Sequence, residues 1–271
     1  MNITKYITEK GALFGVLCSA LFFSSCVREG AESLPGPGAG ESVRVEILLH
    51  APESGPQTRA LTESDECRVD DVLVLFFMQD GMQLHSVAEG RKLSPEPDGR
   101  AITFETSFSV ETKFVSKEFA CIVLANVAGQ YDYDTRLSWR GMTYEELQQE
   151  LRQAVKGKLY TSSPSSMAMW GRAAGPLVPS QSNPKLSVPL LRSVARVDVS
   201  LAETVSDFIL EEVQVWKPND ALSLMPELSA YVAADPKVTA PSVPAGAAPL
   251  ADNWVYTVQD SRIDYSIYIP E

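Results

Sequence analysis

The run Val72-Leu-Val-Leu-Phe-Phe-Met78 constrains this chain most, because it is continuously apolar and rich in β-branched and aromatic residues. A run this short suits a strand covered on both faces better than a buried helix. Gln79-Asp80-Gly81 follows it. Asp-Gly between apolar runs marks a hairpin, since glycine takes positive φ without strain, so residues 82–87 form the expected return strand. Phe119-Ala-Cys-Ile-Val-Leu-Ala-Asn-Val127 repeats the continuous pattern. Elsewhere the apolar residues alternate: Val43, Val45, Ile47 and Leu49, then Ile102, Phe104, Thr106, Phe108 and Val110. A period of two with one apolar face is the mark of a half-buried strand. Residues 188–201, 208–216, 254–258 and 265–269 extend the series, with polar or Pro-, Gly- and Ser-rich stretches at 51–60, 94–99, 161–185 and 235–251 read as loops,. The expected class is all-β. A single helix is expected over 144–156, where Thr143-Tyr-Glu-Glu146 makes a capping box and Leu147, Leu151 and Val155 recur at helical spacing,.

The first residues follow a different logic. A head carrying Lys5 and Lys10 precedes the apolar run Ala12-Leu-Phe-Gly-Val-Leu-Cys-Ser-Ala-Leu-Phe-Phe23, then Ser24-Ser25-Cys26. The run is too short to cross about 30 Å of hydrocarbon, and the layout is that of a secretory signal. A cysteine directly after the small residues reads as a lipid attachment site, so residues 1–25 are the expected signal peptide and Cys26 the expected acylated residue. Phe23 stands where leucine is usual. Several acyl chains on one cysteine suffice for stable anchoring, which places the protein at a bacterial membrane surface. Residues 26–41, rich in Gly, Pro, Ala and Glu, form a tether that cannot build a core,.

Net charge is −12 for the whole chain. An acidic protein repels phosphate backbones, so no nucleic-acid partner is expected. Of four cysteines, Cys67 and Cys121 remain after export and lipidation. Outside the cytoplasm they could pair, or they could be two buried thiols. The two histidines, His50 and His85, lack partners at metal-ligand spacing, and no nucleophile elbow, phosphate loop or His-Glu-x-x-His pattern occurs,. No catalytic role, metal or cofactor is expected.

The ordered set of segments resembles the bacterial fimbrillin family, the subunits of type V pili. The resembling pieces are the lipoprotein signal, the first strand, and Thr58-Arg59-Ala60 in a loop. They continue with the apolar strand before Asp80-Gly81, Leu124-Ala-Asn126-Val, and Met169-Trp-Gly171. The last are Leu190-Leu-Arg192-Ser-Val-Ala-Arg196-Val-Asp-Val199 and Phe208-Ile-Leu-Glu-Glu-Val-Gln-Val215. The resemblance implies two transthyretin-like β-sandwich domains, 42–182 and 183–271, with the short helix in the first. It implies export as an outer-membrane lipoprotein, then cutting after the first strand by an arginine- or trypsin-like protease. Arg59-Ala60 matches that cleavage point by position. The cut would remove Cys26 with its lipid, the tether, and the strand bearing Val43, Val45, Ile47 and Leu49. Other fimbrial subunits would then fill the vacated groove by strand exchange, giving a cell-surface fimbrium that meets a host or bacterial receptor.

The final apolar run ends at Pro270-Glu271 with no return strand. Two expectations fit this: a chain cut short, or a strand partner supplied from elsewhere. The role along the fimbria (stalk, tip or anchor) stays open. A different function class also stays open, a non-polymerising surface lipoprotein that stacks glycans on Trp139, Trp170, Trp216 or Trp254 or holds a host protein.

Overall fold

The computed structural model describes residues 40–52, 63–95, 101–161, 166–202, 207–240, 243–258 and 265–270. Among these the chain is mostly β, with a few short helices. The first half builds most of one large sheet. Its strands are β1 (Glu41–His50), β2 (Val72–Met78), β3 (Gln83–Glu89), β4 (Arg91–Pro95), β5 (Ala101–Val110) and β6 (Phe119–Ala125). After β7 (Arg152–Ala154), which lies outside it, the sheet is completed by β8 (Met169–Arg172) and β9 (Lys185–Arg192). The order is β3-β2-β6-β8-β9-β1-β5-β4.

That sheet nearly closes on itself, and Gly90 is the reason. β3 pairs with β2, whereas β4, directly after Gly90, pairs with β5. One path of chain therefore serves both edges. Gly90 N–H donates to the Val72 carbonyl at 3.0 Å, and a Cβ at this position would meet Val72 Cγ2 at 2.2 Å and Phe104 Cδ1 at 3.2 Å. Only glycine allows the strand to pass so close to both partners. Thr106 Oγ1, donating to the Glu89 carbonyl at 2.9 Å, fastens the seam. The continuous apolar runs β2 and β6 sit side by side in antiparallel register and are buried almost throughout, as their composition requires. Phe76 stacks on Phe108 across the core with ring centroids 4.0 Å apart.

The remaining strands form two-stranded sheets. These are β10 (Val194–Val199) with β16 (Tyr265–Pro270), β11 (Glu212–Val215) with β15 (Trp254–Thr257), β12 (Ala221–Ser223) with β7, and β13 (Tyr231–Val232) with β14 (Lys237–Val238). Among the described residues three short α-helices accompany the strands, α1 (Glu63–Glu66), α2 (Tyr133–Ser138) and α3 (Tyr144–Glu150), beside three single turns of 3-10 helix.

Several local expectations change. The capping box at Thr143 and Glu146 forms as the sequence predicts, but the helix stops at Glu150 rather than 156. Leu151 leaves helical geometry, and residues 152–154 pair with 221–223 instead. Leu151 and Val155 are buried all the same, so the helical spacing marked a buried face and not a continuing helix. The stretch 161–185, read as a loop, contains β8. The stretch 188–201, read as one strand, is two, divided where Ser193 N–H donates to the Ala168 carbonyl at 3.0 Å. The helix α2, which the sequence reading missed, is capped by Asp132 accepting from Thr135 N–H.

Candidate assembly site: the first strand and the segment that follows it

β1 lies inside the large sheet, not at its edge. It runs antiparallel to β5 from Glu41 opposite Val110 to His50 opposite Ala101, and parallel to β9 from Glu46 opposite Lys185 to His50 opposite Pro189. Val43, Val45, Ile47 and Leu49 point inward and are buried, as the alternation predicts. Beside them on the neighbouring strands lie Ile102, Phe104, Phe108, Leu186 and Val188, all buried. The outer face is polar: Arg44 pairs with Glu105 at 3.3 Å, Glu46 with Lys185 at 3.0 Å, and His50 Nε2 lies 3.0 Å from Ser187 Oγ. The strand is thus held by two backbone ladders and a row of aliphatic side chains, each contributing roughly 1.5–3 kcal/mol on burial. Its loss would leave an apolar groove between two unpaired strand edges. Buried unpaired backbone groups cost about 1–3 kcal/mol apiece, so such a groove favours a replacement strand.

Cys26, Arg59 and Ala60 lie outside the described residues. The chain is described again from Glu63, and residues 66–71 are tied to the rest of the fold. Asn126, from the Leu-Ala-Asn-Val motif, takes positive φ (63°), an angle asparagine tolerates. Its side chain donates to the carbonyls of Arg68 (2.8 Å) and Met167 (2.6 Å) and accepts from Asp70 N–H at 2.8 Å. Asp71 Oδ1 accepts from Ala128 N–H at 2.9 Å. These bonds tie residues 68–71 to the end of β6.

Glu66 makes a second tie, which the sequence reading missed. Its carboxylate, 3% exposed, receives Arg196 Nη1 at 3.0 and 3.1 Å, and Arg192 Nη2 lies 3.4 Å away. The Tyr268 hydroxyl donates to it at 2.5 Å, and the Glu66 carbonyl accepts from Arg192 Nε at 3.3 Å. Arg196 Nε also reaches Asp198 (2.8 Å) and Ser266 Oγ (3.2 Å). Burial works against the Arg196 charge, but the Asp198 bond and the facing Glu66 carboxylate outweigh it and raise its pKa,. Burial, then the bond to Glu66, raises the Tyr268 hydroxyl. The signal for this cluster was two arginines, Arg192 and Arg196, set among apolar residues. Their partner, remote in sequence, was not legible.

Cys67 and Cys121 are both buried and are not joined in a disulfide. Cys67 Sγ donates to the Pro52 carbonyl at 3.3 Å, while Cys121 sits within β6 and burial pushes its thiol up to about 12. Trp139, Trp170 and Trp254 belong to the core, and Trp216 is 71% exposed. Gly171, after Trp170, is explained by the approach of β9: a Cβ there would meet the Pro189 carbonyl oxygen at 2.5 Å. Among the described residues no group of three or more His, Cys, Asp or Glu side chains could hold a metal ion, and no helix is long and apolar enough to cross a membrane.

No protein-family model matches this chain, and no curated protein matches it in sequence. It is similar in structure to a fimbrial assembly protein of Parabacteroides distasonis. The TM-score is 0.47 at 15% identity, over 88% of this chain and 87% of that one. It is also similar to the fimbrial anchor protein Mfa2 of Porphyromonas gingivalis, with a TM-score of 0.37 at 14% identity over 84% of this chain and 72% of that one. With both scores below 0.5, neither likeness fixes the fold or the function of this chain.

Proposed function

We propose that this chain is a non-catalytic structural subunit of a type V fimbria. It is exported as a lipoprotein on Cys26, anchored in the outer membrane, cut at Arg59-Ala60, and assembled at the cell surface by strand exchange with other fimbrial subunits, serving adhesion to a host or bacterial receptor. The observation that carries this reading is β1. It is an internal strand paired on both edges, with four buried aliphatic residues, and a proline-bearing segment containing Arg59 follows it. A strand that precedes the rest of the sheet in the chain is one that a single cut between them can release, and proline-bearing polar segments favour such cuts. The groove it leaves matches a donated strand in backbone bonding and in alternate side-chain pockets. Head-to-tail repetition of that step gives a filament. The division into two transthyretin-like sandwich domains near residue 183 is part of the same proposal, with β9 reaching back into the first.

The test is N-terminal sequencing of the assembled, surface-shed protein, with electron microscopy of cells carrying or lacking the gene. Ala60 as the first residue, and filaments lost with the gene, are expected. An intact lipidated Cys26 in assembled filaments would sink strand exchange. The competing glycan-binding lipoprotein has one specific observation in its favour, the exposed indole of Trp216. Tight binding to a glycan array by uncut monomer would favour it.

A further inference from the structure

We propose that Glu66 is a positioning residue that holds β9, one wall of the first-strand groove, in place while the groove is empty; this rests on the reading that β1 leaves. With β1 present, residues 185–189 of β9 pair with 46–50 and residues 190–192 pair with β8. Once β1 is gone, the first of these ladders is gone too. The wall then keeps its short β8 pairing, the bond from Ala174 N–H to the Ser187 carbonyl at 3.3 Å, and whatever fixes its end at Arg192.

Glu66 fixes that end. Both its carboxylate and its carbonyl engage Arg192, at 3.4 and 3.3 Å. The same carboxylate takes Arg196 of β10 and Tyr268 of β16. On its other side Glu66 belongs to the segment that Asn126 fastens to β6. The carboxylate therefore joins a part of the sheet that does not depend on β1 to the strand that does. A charge-assisted, multidentate contact suits this role because it fixes direction as well as distance. Removing one partner of such a buried cluster leaves charges without compensation. The tie also survives processing. After a cut at Arg59-Ala60 the new terminus, Ala60, is six residues before Glu66, so the clamp stays with the body while the first strand departs.

The experiment uses the full chain in detergent micelles, as wild type, Glu66→Gln and Tyr265→Phe, the last a change on β16 outside the Glu66 cluster. Each is cut with trypsin and exposed to excess labelled peptide of the sequence of residues 41–50. Hydrogen exchange of residues 185–192 is followed before and after the first strand is released. Before release, 185–189 should be equally protected in all three. After release, wild type and Tyr265→Phe should keep the wall protected. Glu66→Gln should lose that protection, and its apparent affinity for the peptide should fall about tenfold as the competent groove becomes a minor population. If Glu66→Gln does not fold, Arg192→Gln removes the same tie and reads the same way. Equal protection after release in wild type and the clamp variant overturns the inference alone. Failure to release the first strand from wild type overturns the reading beneath it, and the inference with it.

Discussion

In the large sheet, β2 and β6 bury every side chain they carry except that of Met78. In the paired ribbons that follow, β11 has no buried residue and β10 buries only Val194. Phe208, Ile209 and Trp216 flank β11 with 70%, 66% and 71% of their surface exposed. Apolar strands occur in both regions, so composition does not separate them. The difference is a second layer. The large sheet curls until its own strands face each other, whereas a ribbon of two strands has only what neighbouring segments lend it, and two strands alone are marginal in water. The later region adds some buried side chains to the core, such as Leu222, Trp254 and Ile267, and is also held by directional contacts: the Glu66 cluster on β10 and β16, the Tyr144 hydroxyl donating to the Pro226 carbonyl at 2.8 Å, and Trp170 edge-on to Tyr231 at 4.9 Å.

The largest expected effect separates the two regions directly. Phe108→Ala removes a fully buried ring stacked on Phe76, and should lower stability by about 3–5 kcal/mol in urea denaturation. Phe208→Ala makes the same chemical change at an exposed site and should stay within about 0.5 kcal/mol. Similar losses at both positions would erase the contrast.

Next come the glycines. Gly171→Ala would push a Cβ to 2.5 Å from the Pro189 carbonyl oxygen and 2.6 Å from Val188 Cγ1. A backbone atom cannot swing aside, so the β8–β9 pair must part, at a cost of about 1–3 kcal/mol. Gly175 has nothing within 4 Å of such a Cβ and does not adopt positive φ. Gly175→Ala should be neutral or stabilising by a few tenths, roughly up to 1 kcal/mol. Thermal unfolding of the two variants checks the pair.

These cases show why the large sheet was legible and the ribbons less so. A continuous run such as 72–78 or an alternation such as 43–49 encodes burial by itself, because each residue's face follows from the backbone period. The first strand could be placed that way, down to the four residues that point inward. β7 and β12 are three residues each and exist because they meet. No local pattern announces such a pairing, and the helical spacing of Leu147, Leu151 and Val155 argued for something else. Glu66 was hidden for the same reason. A glutamate after a polar loop reads as solvated until Arg192, Arg196 and Tyr268 are brought to it from 126, 130 and 202 positions away.

A smaller effect probes the ribbons from within. The Tyr256 hydroxyl on β15 is buried and makes no hydrogen bond among the described residues. Burial, then the nearby Tyr265, raises its pKa from 10.0 to about 12. Because the folded form holds the proton more tightly, this group's contribution to stability is complete below pH 10 and is lost as pH rises toward 12. Tyr256→Phe should be neutral or stabilising by about 1 kcal/mol at pH 7, since it deletes an unsatisfied polar atom. It should also flatten the fall in stability between pH 10 and 12. An unchanged alkaline limb would mean that this hydroxyl is already in contact with water, and that the ribbon is more open than its burial suggests.

At the surface the two regions should become indistinguishable. Lys185 and Glu46 pair at 3.0 Å across β9 and β1, and Lys237 and Asp235 pair at 2.6 Å beside β14. All four side chains are well exposed, so water and ions screen both pairs, and the entropy of ordering two long side chains offsets most of the attraction. Lys185→Ala and Lys237→Ala should each cost about 0.2–1 kcal/mol at low salt. At about 1 M salt, where the Debye length falls to roughly 3 Å, the difference from wild type should nearly vanish. A loss at Lys185 that persisted in high salt would not be a surface ion pair. It would mean that Lys185 packs its stem along the first strand, and that the outer rim of β1 helps hold the strand as its buried row does.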